Sequence, residues 1–198
     1  MMDRQTELSL VERLREGDLQ AFDVVYDAFR PRLYSFLVRL SRRREVAEDL
    51  LEETWLRLVQ HARRLSPDTA LGPWLFTVAR NLYVSYYRSR LLDQDSAGHL
   101  IGLWPIATPR PSPFEEAVAS ELDRRLERAL AALPARHREV LLLIGVEGFS
   151  AADAAVVCRT TPEAIRQRLS RARALMAREL ENAERRREGI LREVTNES

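Results

Sequence analysis

The chain has 198 residues with 31 basic and 30 acidic side chains, a net charge of +1 and 45% hydrophobic residues, enough for one large domain or two small ones without a covalent staple. Its one cysteine, Cys158, excludes an internal disulfide framework and a multi-cysteine zinc site, and no run approaches the eighteen apolar residues of a membrane span. With Asp3, Arg4 and Glu7 where a secretory leader would be apolar, the sequence predicts a cytoplasmic protein without membrane insertion.

Seven glycines, abundant helix formers and the lack of alternating Val/Ile/Thr runs predict an all-α chain. Leu8, Val11 and Leu14 mark a first helix over residues 4–15 that Gly17 ends, and Asp18 caps a second containing Ala21, Phe22, Val25, Tyr26 and Phe29. Pro31 is predicted to start a third, with Leu33, Tyr34, Leu37, Val38 and Leu40 at the centre of a bundle. From 43 to 61 two apolar rows step by four residues, Val46, Leu50, Thr54, Leu58 and Ala47, Leu51, Trp55, Val59, which predicts an amphipathic helix. Gly72 and Pro73 open another that runs to about Arg90. Residues 93–112 then gather Asp93, Asp95, Gly98, Gly102, Pro105, Pro109 and Pro111. This predicts a flexible linker between two small helical domains, residues 1–92 and 113–198, although residues 99–104 are apolar for a solvated tether. Ser112, Pro113 and Glu115 supply a cap, a first-position proline and an acid for a helix reaching Leu133, and Pro134 begins the next, ending near Gly148. Ser150 with Asp153 caps a short helix, and Thr161-Pro162 starts a long last one.

Three signals along these helices suggest chemistry. The short helix from Ser150, a tight turn at Cys158-Arg159 and the helix from Pro162 have the lengths of a helix-turn-helix, whose second helix enters the major groove of DNA. With Ile165, Leu169, Ala172 and Met176 inward at 100° per residue, Glu163, Gln167 and Ser170 point outward, flanked by Arg166 and Arg171 and edged by Arg159, Arg168 and Arg173. Between Arg159 and Arg178 six arginines meet one acid, Glu163, a local +5 that suits a phosphate backbone. Glu163 can accept from a cytosine amino group and Arg166 or Gln167 can read purine edges, the other arginines gripping phosphates. The second signal is on the helix from Pro73, where Phe76, Arg80, Tyr83, Tyr87 and Arg90 form an aromatic and arginine stripe beside the apolar stripe Leu75, Val78, Ala79, Leu82, Tyr86. Stacking on unpaired bases and completing a core are equally open readings of it. The third is the acidic outer face Glu45, Glu48, Asp49, Glu52, Glu53 of the amphipathic helix, either a solvated helix start or a surface for a basic partner. His61, His99 and His137 lack metal-ligand spacing, and no phosphate loop or nucleophile elbow occurs, so neither an enzyme nor a cofactor is predicted.

Four blocks in order, residues 46–58 (VAEDLLEETWLRL), 72–82 (GPWLFTVARNL), the span from Leu133-Pro134 to Phe149-Ser150, and 168–173 (RLSRAR), resemble a bacterial RNA polymerase sigma factor of the extracytoplasmic-function group over roughly residues 14–180. The resemblance implies a protein that binds core RNA polymerase, directs it to promoter DNA and is commonly governed by an anti-sigma factor. It implies polymerase docking through Glu48, Asp49, Glu52, Glu53 and Trp55. It further implies capture of the minus-ten element's non-template strand by Trp74, Arg80, Asn81, Tyr83, Tyr87 and Arg88. The minus-thirty-five element falls to Arg159, Glu163, Arg166, Gln167, Ser170, Arg171 and Arg173. The chain departs from the family at Glu52 (usually Gln), Ser85 (usually Asp), the Cys158-Arg159 turn (usually Gly) and Glu163-Ala164 (usually Gly-Thr). A stand-alone helix-turn-helix regulator would leave the acidic helix without purpose, and a sigma mimic that never touches DNA would leave the arginines of the last helix without one.

Overall fold

The computed structural model describes residues 3–95 and 121–196, and among them every regular element is helical. Helix α1 spans Arg4–Glu16: the Asp3 carboxylate accepts from the Gln5 and Thr6 amides at 3.0 Å, and Gly17 closes the end at φ 86°, a left-handed turn that favours glycine. Asp18 caps α2 in the same way.

Helix α2 runs unbroken from Leu19 to Ser41, so the predicted boundary at Pro31 does not exist. Proline removes one backbone donor and crowds the carbonyl four residues back, that of Asp27. Asp27 and Pro31 lie on the exposed side while Phe29 and Leu33 are buried, so the freed carbonyl faces water and the helix continues. A turn through left-handed Arg42 leads into α3, Arg44–His61. Helix α3 buries both predicted rows against α2 and α4 except for Val59, at its outer edge.

Helix α4, Leu71–Asp95, extends three residues into the predicted linker. Its first amides are satisfied from the far end of the chain: Leu71 N donates to Glu7 Oε1 at 2.8 Å and Gly72 N to the same atom at 3.4 Å, with Arg4 pairing Glu7 and donating to the Asp68 carbonyl. Glu7→Ala removes this remote cap and is expected to lower stability by about 1 kcal/mol, read as a shift in the urea midpoint at constant slope. Glu7→Gln, which keeps an acceptor, should recover about half of that.

The carboxy-terminal domain contributes α5 (Glu121–Ala132), α6 (Ala135–Leu141, continued by a π turn over Leu142–Val146), α7 (Ala151–Cys158) and α8 (Pro162–Asn196). The predicted helix start at Ser112-Pro113, the apolar stretch 99–104 and the linker from residue 96 lie outside the described residues. The two helical domains pack on one another, α4 against α7 and α2 against α6. One apolar core runs through both: Phe36 meets Phe76 edge-on at 5.1 Å between centroids, and Phe76 meets Phe149 of the other domain at 5.1 Å. Gly72 sits at this junction, in van der Waals reach of the Phe149 and Phe29 rings.

Candidate functional site

The helix-turn-helix is built from α7 and α8. Ser150 Oγ accepts from the Asp153 amide while Asp153 reaches back to the Ser150 amide, a full capping box at the start of α7. The turn residue forced into the left-handed region is Arg159, at φ 51° and ψ 55°, and Thr161 Oγ1 accepts from the Ala164 amide to start α8. Ile165 and Ala172 are fully buried, Leu169 and Met176 pack partly against the core, and Arg159, Glu163, Arg166, Gln167, Ser170, Arg171 and Arg173 are all exposed. Within that outer face Glu163 Oε1 already holds Arg166 Nη2 at 2.6 Å, so reading a base through either requires that pair to part. Cys158 sits buried beneath the turn, and burial pushes its thiol up to about 12, which keeps it protonated and inert. His137, buried between α6 and α8 and surrounded by Arg136, Arg168 and Arg171, is held below the usual imidazole range, mainly by burial.

The stripe on α4 resolves differently from the stacking reading. Phe76, Tyr83 and Tyr87 are interior, at 0%, 2% and 7% exposure. Tyr87 Oη donates to the Ser41 carbonyl at 2.8 Å, its ring packs on Tyr83, and burial raises its pKa. The physical reason is that α4 is covered on two sides: Leu75 and Ala79 meet its own domain, and the second stripe is closed over by the end of α2 and by the carboxy-terminal domain. Of the residues carried over by resemblance, Arg88 is exposed, Trp74 and Asn81 are half-buried, and Arg80 donates through Nε to Glu139 Oε1 at 2.7 Å.

On α3 the acids are outward but Trp55 is not. Its ring is 7% exposed, packed on Tyr26 at 4.8 Å and Phe22 at 6.0 Å, so it supports the α2–α3 contact instead of forming the surface. Glu48 lies 3.6 Å from Arg44 and accepts from Tyr34, and Glu53 pairs Arg57 at 2.7 Å. Asp49 and Glu52 are exposed without an ion pair among the described residues. Three and seven residues beyond Asp49 come Glu52 and Leu56, then Val59, all on one face, with Leu56 and Val59 54% and 61% exposed. Periodicity assigned Val59 to the core and passed over Leu56; the signal that marks Leu56 is its place in the register of the acids.

Among the described residues no helix is long and apolar enough to cross a membrane, and no group of three His, Cys, Asp or Glu could hold a metal ion. Residues 25–91 match the family model for Sigma-70 region 2, and residues 123–176 that for Sigma-70, region 4. The chain is 35% identical over 170 residues to the ECF RNA polymerase sigma factor EcfG of Rhodopseudomonas palustris, with 86% of each chain covered. It is 34% identical over 161 residues to the RNA polymerase sigma factor CarQ of Myxococcus xanthus, covering 81% of this chain and 90% of that one. Among solved structures, the sigma factor RpoE of Bartonella quintana, in complex with the anti-sigma factor NepR, superposes with a TM-score of 0.67 at 32% identity, over 81% of this chain and 96% of that one. CnrH, in complex with the cytosolic domain of CnrY, shares the fold with a TM-score of 0.65 at 19% identity, over 89% and 98%. A basic helix-turn-helix domain joined to a bundle with an acidic outer face, with these matches over both, places the chain in the extracytoplasmic-function group of RNA polymerase sigma factors, non-catalytic proteins of transcription initiation.

Proposed function

We propose that this chain is an alternative sigma factor of the cytoplasm, not an enzyme, in which residues 1–92 dock on core RNA polymerase and engage the minus-ten element, 93–112 link, and 113–198 read the minus-thirty-five element. The observation that supports it best is the face of α3. Asp49 and Glu52, without an ion pair among the described residues, stand beside the exposed Leu56 and Val59, an acidic patch with an apolar margin of the kind that marks a protein interface with a basic, partly apolar partner. The α7–α8 pair offers a second, separate surface of opposite sign for DNA, so protein and nucleic acid need not compete. Arg88, Trp74, Asn81 and Arg80 are the α4 residues left to meet a melted strand. The Bartonella RpoE was solved bound to an anti-sigma factor, and likeness to it over four-fifths of this chain supports an anti-sigma partner here.

The test is binding of purified core polymerase by the double variant Asp49→Arg, Glu52→Arg. Both positions are exposed, so the fold should survive, and affinity should fall at least tenfold, about 1.4 kcal/mol or more. Unchanged affinity in a variant with native circular dichroism would remove α3 from the interface.

A further inference from the structure

Helix α4 takes its cap from the other end of the domain. Ala70, the residue before it, has no side-chain acceptor, and in the preceding turn Ser66 Oγ donates to the Asp68 carboxylate. The acceptor comes from α1, where Glu7 Oε1 takes the Leu71 amide at 2.8 Å and the Gly72 amide at 3.4 Å. Pro73 has no amide to satisfy, and the Trp74 amide donates to the Ala70 carbonyl at 3.0 Å, so with Glu7 in place the first turn of α4 is complete. Arg4 fixes that carboxylate from outside: Nη1 pairs Glu7 Oε2 at 3.0 Å, and Nη2 donates to the Asp68 carbonyl at 2.6 Å. Below this pair Leu10, Val11 and Leu14 are buried, and α1 packs on α2 and on the single 3-10 turn Ala62–Arg64 that follows α3. One amino-terminal helix therefore grips both the turn before α4 and the start of α4, 64 residues along the chain.

From this we infer that α1 positions Trp74 for the melted strand, with Glu7 and Arg4 as positioning residues that act through the first turn of α4 and not by contact with DNA. The inference rests on the reading of α4 as the strand-binding helix. Trp74 is half-buried, with part of its surface on the core and part open to a base. A side chain on a frayed turn has to be ordered at the moment of binding, and that cost is subtracted from affinity, whereas one on a capped turn is already in place. If only a fraction of the chains hold the turn formed, the apparent dissociation constant for the strand rises by the inverse of that fraction. The acidic face of α3 and the outward face of α8 are built without Glu7 or Arg4, so the loss falls on strand capture and spares core docking and duplex reading.

The experiment uses holoenzyme made with the full chain carrying Glu7→Ala or Arg4→Ala. Core affinity is measured by fluorescence titration, and promoter opening by 2-aminopurine placed in the minus-ten element. Expected are core affinity within about twofold of the parent and about fivefold less open complex, with Glu7→Gln, which keeps an acceptor, recovering about half of the loss. On a template whose minus-ten segment is pre-opened by mismatches, the loss should shrink to under about twofold, because opening no longer has to be driven by strand capture. Equal loss on both templates would reflect a general folding defect and overturns the inference, as does unchanged opening by both variants. Trp74→Leu supplies the coupling test: in that background Glu7→Ala should cost nothing further, and additive losses would show that Glu7 acts elsewhere. Normal opening by Trp74→Leu removes Trp74 from the strand-binding reading and the inference with it. Lost opening by Trp74→Leu beside normal opening by the α1 variants leaves that reading standing and removes the positioning role. If Glu7→Ala fails to fold, Arg4→Ala, at a side chain 52% exposed, must give the same pattern for the inference to stand.

Discussion

Arg138→Met is expected to destabilise the protein by about 4 kcal/mol and to lower its melting temperature by about 10 °C. Arg138 is 4% exposed and has no carboxylate partner among the described residues. It is solvated instead by five carbonyls: Nε donates to Leu130 at 3.1 Å, Nη2 to Ala131 at 3.0 Å and Leu133 at 2.8 Å, and Nη1 to Arg39 at 3.1 Å and Leu40 at 3.2 Å. These carbonyls lie at the ends of α5 and α2, with Leu133 one residue past α5, where the helix runs out of amide donors, so one side chain terminates two helices in two domains. Burial pushes the guanidinium down to about 10, still charged at neutral pH. Methionine fills a similar volume but removes the donor from five carbonyls, of which only Leu130 keeps another, the Leu133 amide at 3.2 Å; each acceptor left bare costs about 1–3 kcal/mol before the backbone relaxes. Lysine, with three donors and no planar fork, should recover less than half. Urea unfolding followed by circular dichroism measures both variants; a loss under about 1 kcal/mol for methionine would show that water replaces the fork.

Arg171→Ala with Arg173→Ala should weaken promoter binding by the polymerase holoenzyme about 100-fold and reduce the salt slope by about two. Both side chains stand exposed on α8, without an ion pair among the described residues, so their charge is available to phosphates. Each charge-assisted contact is worth about 1.5–3 kcal/mol, and each neutralised phosphate contributes about 0.9 to the slope of log K against log salt. The loss should be the same on every promoter, because phosphates carry no sequence. Gln167→Ala, by contrast, should act unevenly across promoter sequences. Filter binding at several salt concentrations reads both. An unchanged slope would place the two arginines away from the backbone, and a uniform effect from Gln167 would end its base-reading role.

Local rules carried most of the fold. Gly17, Asp18, Ser150 with Asp153, and Thr161-Pro162 each mark a helix end where the structure has one, because a cap acts within a turn of itself. Pro31 misled for the complementary reason: whether a proline breaks a helix depends on which side of it faces water, and that is set by what packs on the other side. The same limit governed the site. The outward face of α8 was legible because one buried residue, Ile165, fixes the register of all the others. Tyr83 and Tyr87 were not, since periodicity shows that a face is aromatic but not whether a second domain covers it. Glu139 and Glu147 meet arginines 59 and 115 residues away, and no local pattern announces such a partner. An acid inside the apolar run from Val140 to Phe149 was the available sign, and the buried Glu147 is that acid.

The central claim is that this chain gives core RNA polymerase its promoter choice. Run-off transcription on fragmented DNA of the host genome, with purified core polymerase and with or without the protein, tests it most directly. Discrete transcripts that require the protein, and that disappear with Arg171→Ala and Arg173→Ala, are the predicted result. Core polymerase that binds the protein yet starts no new transcript, or that fails to bind it at all, would contradict the account.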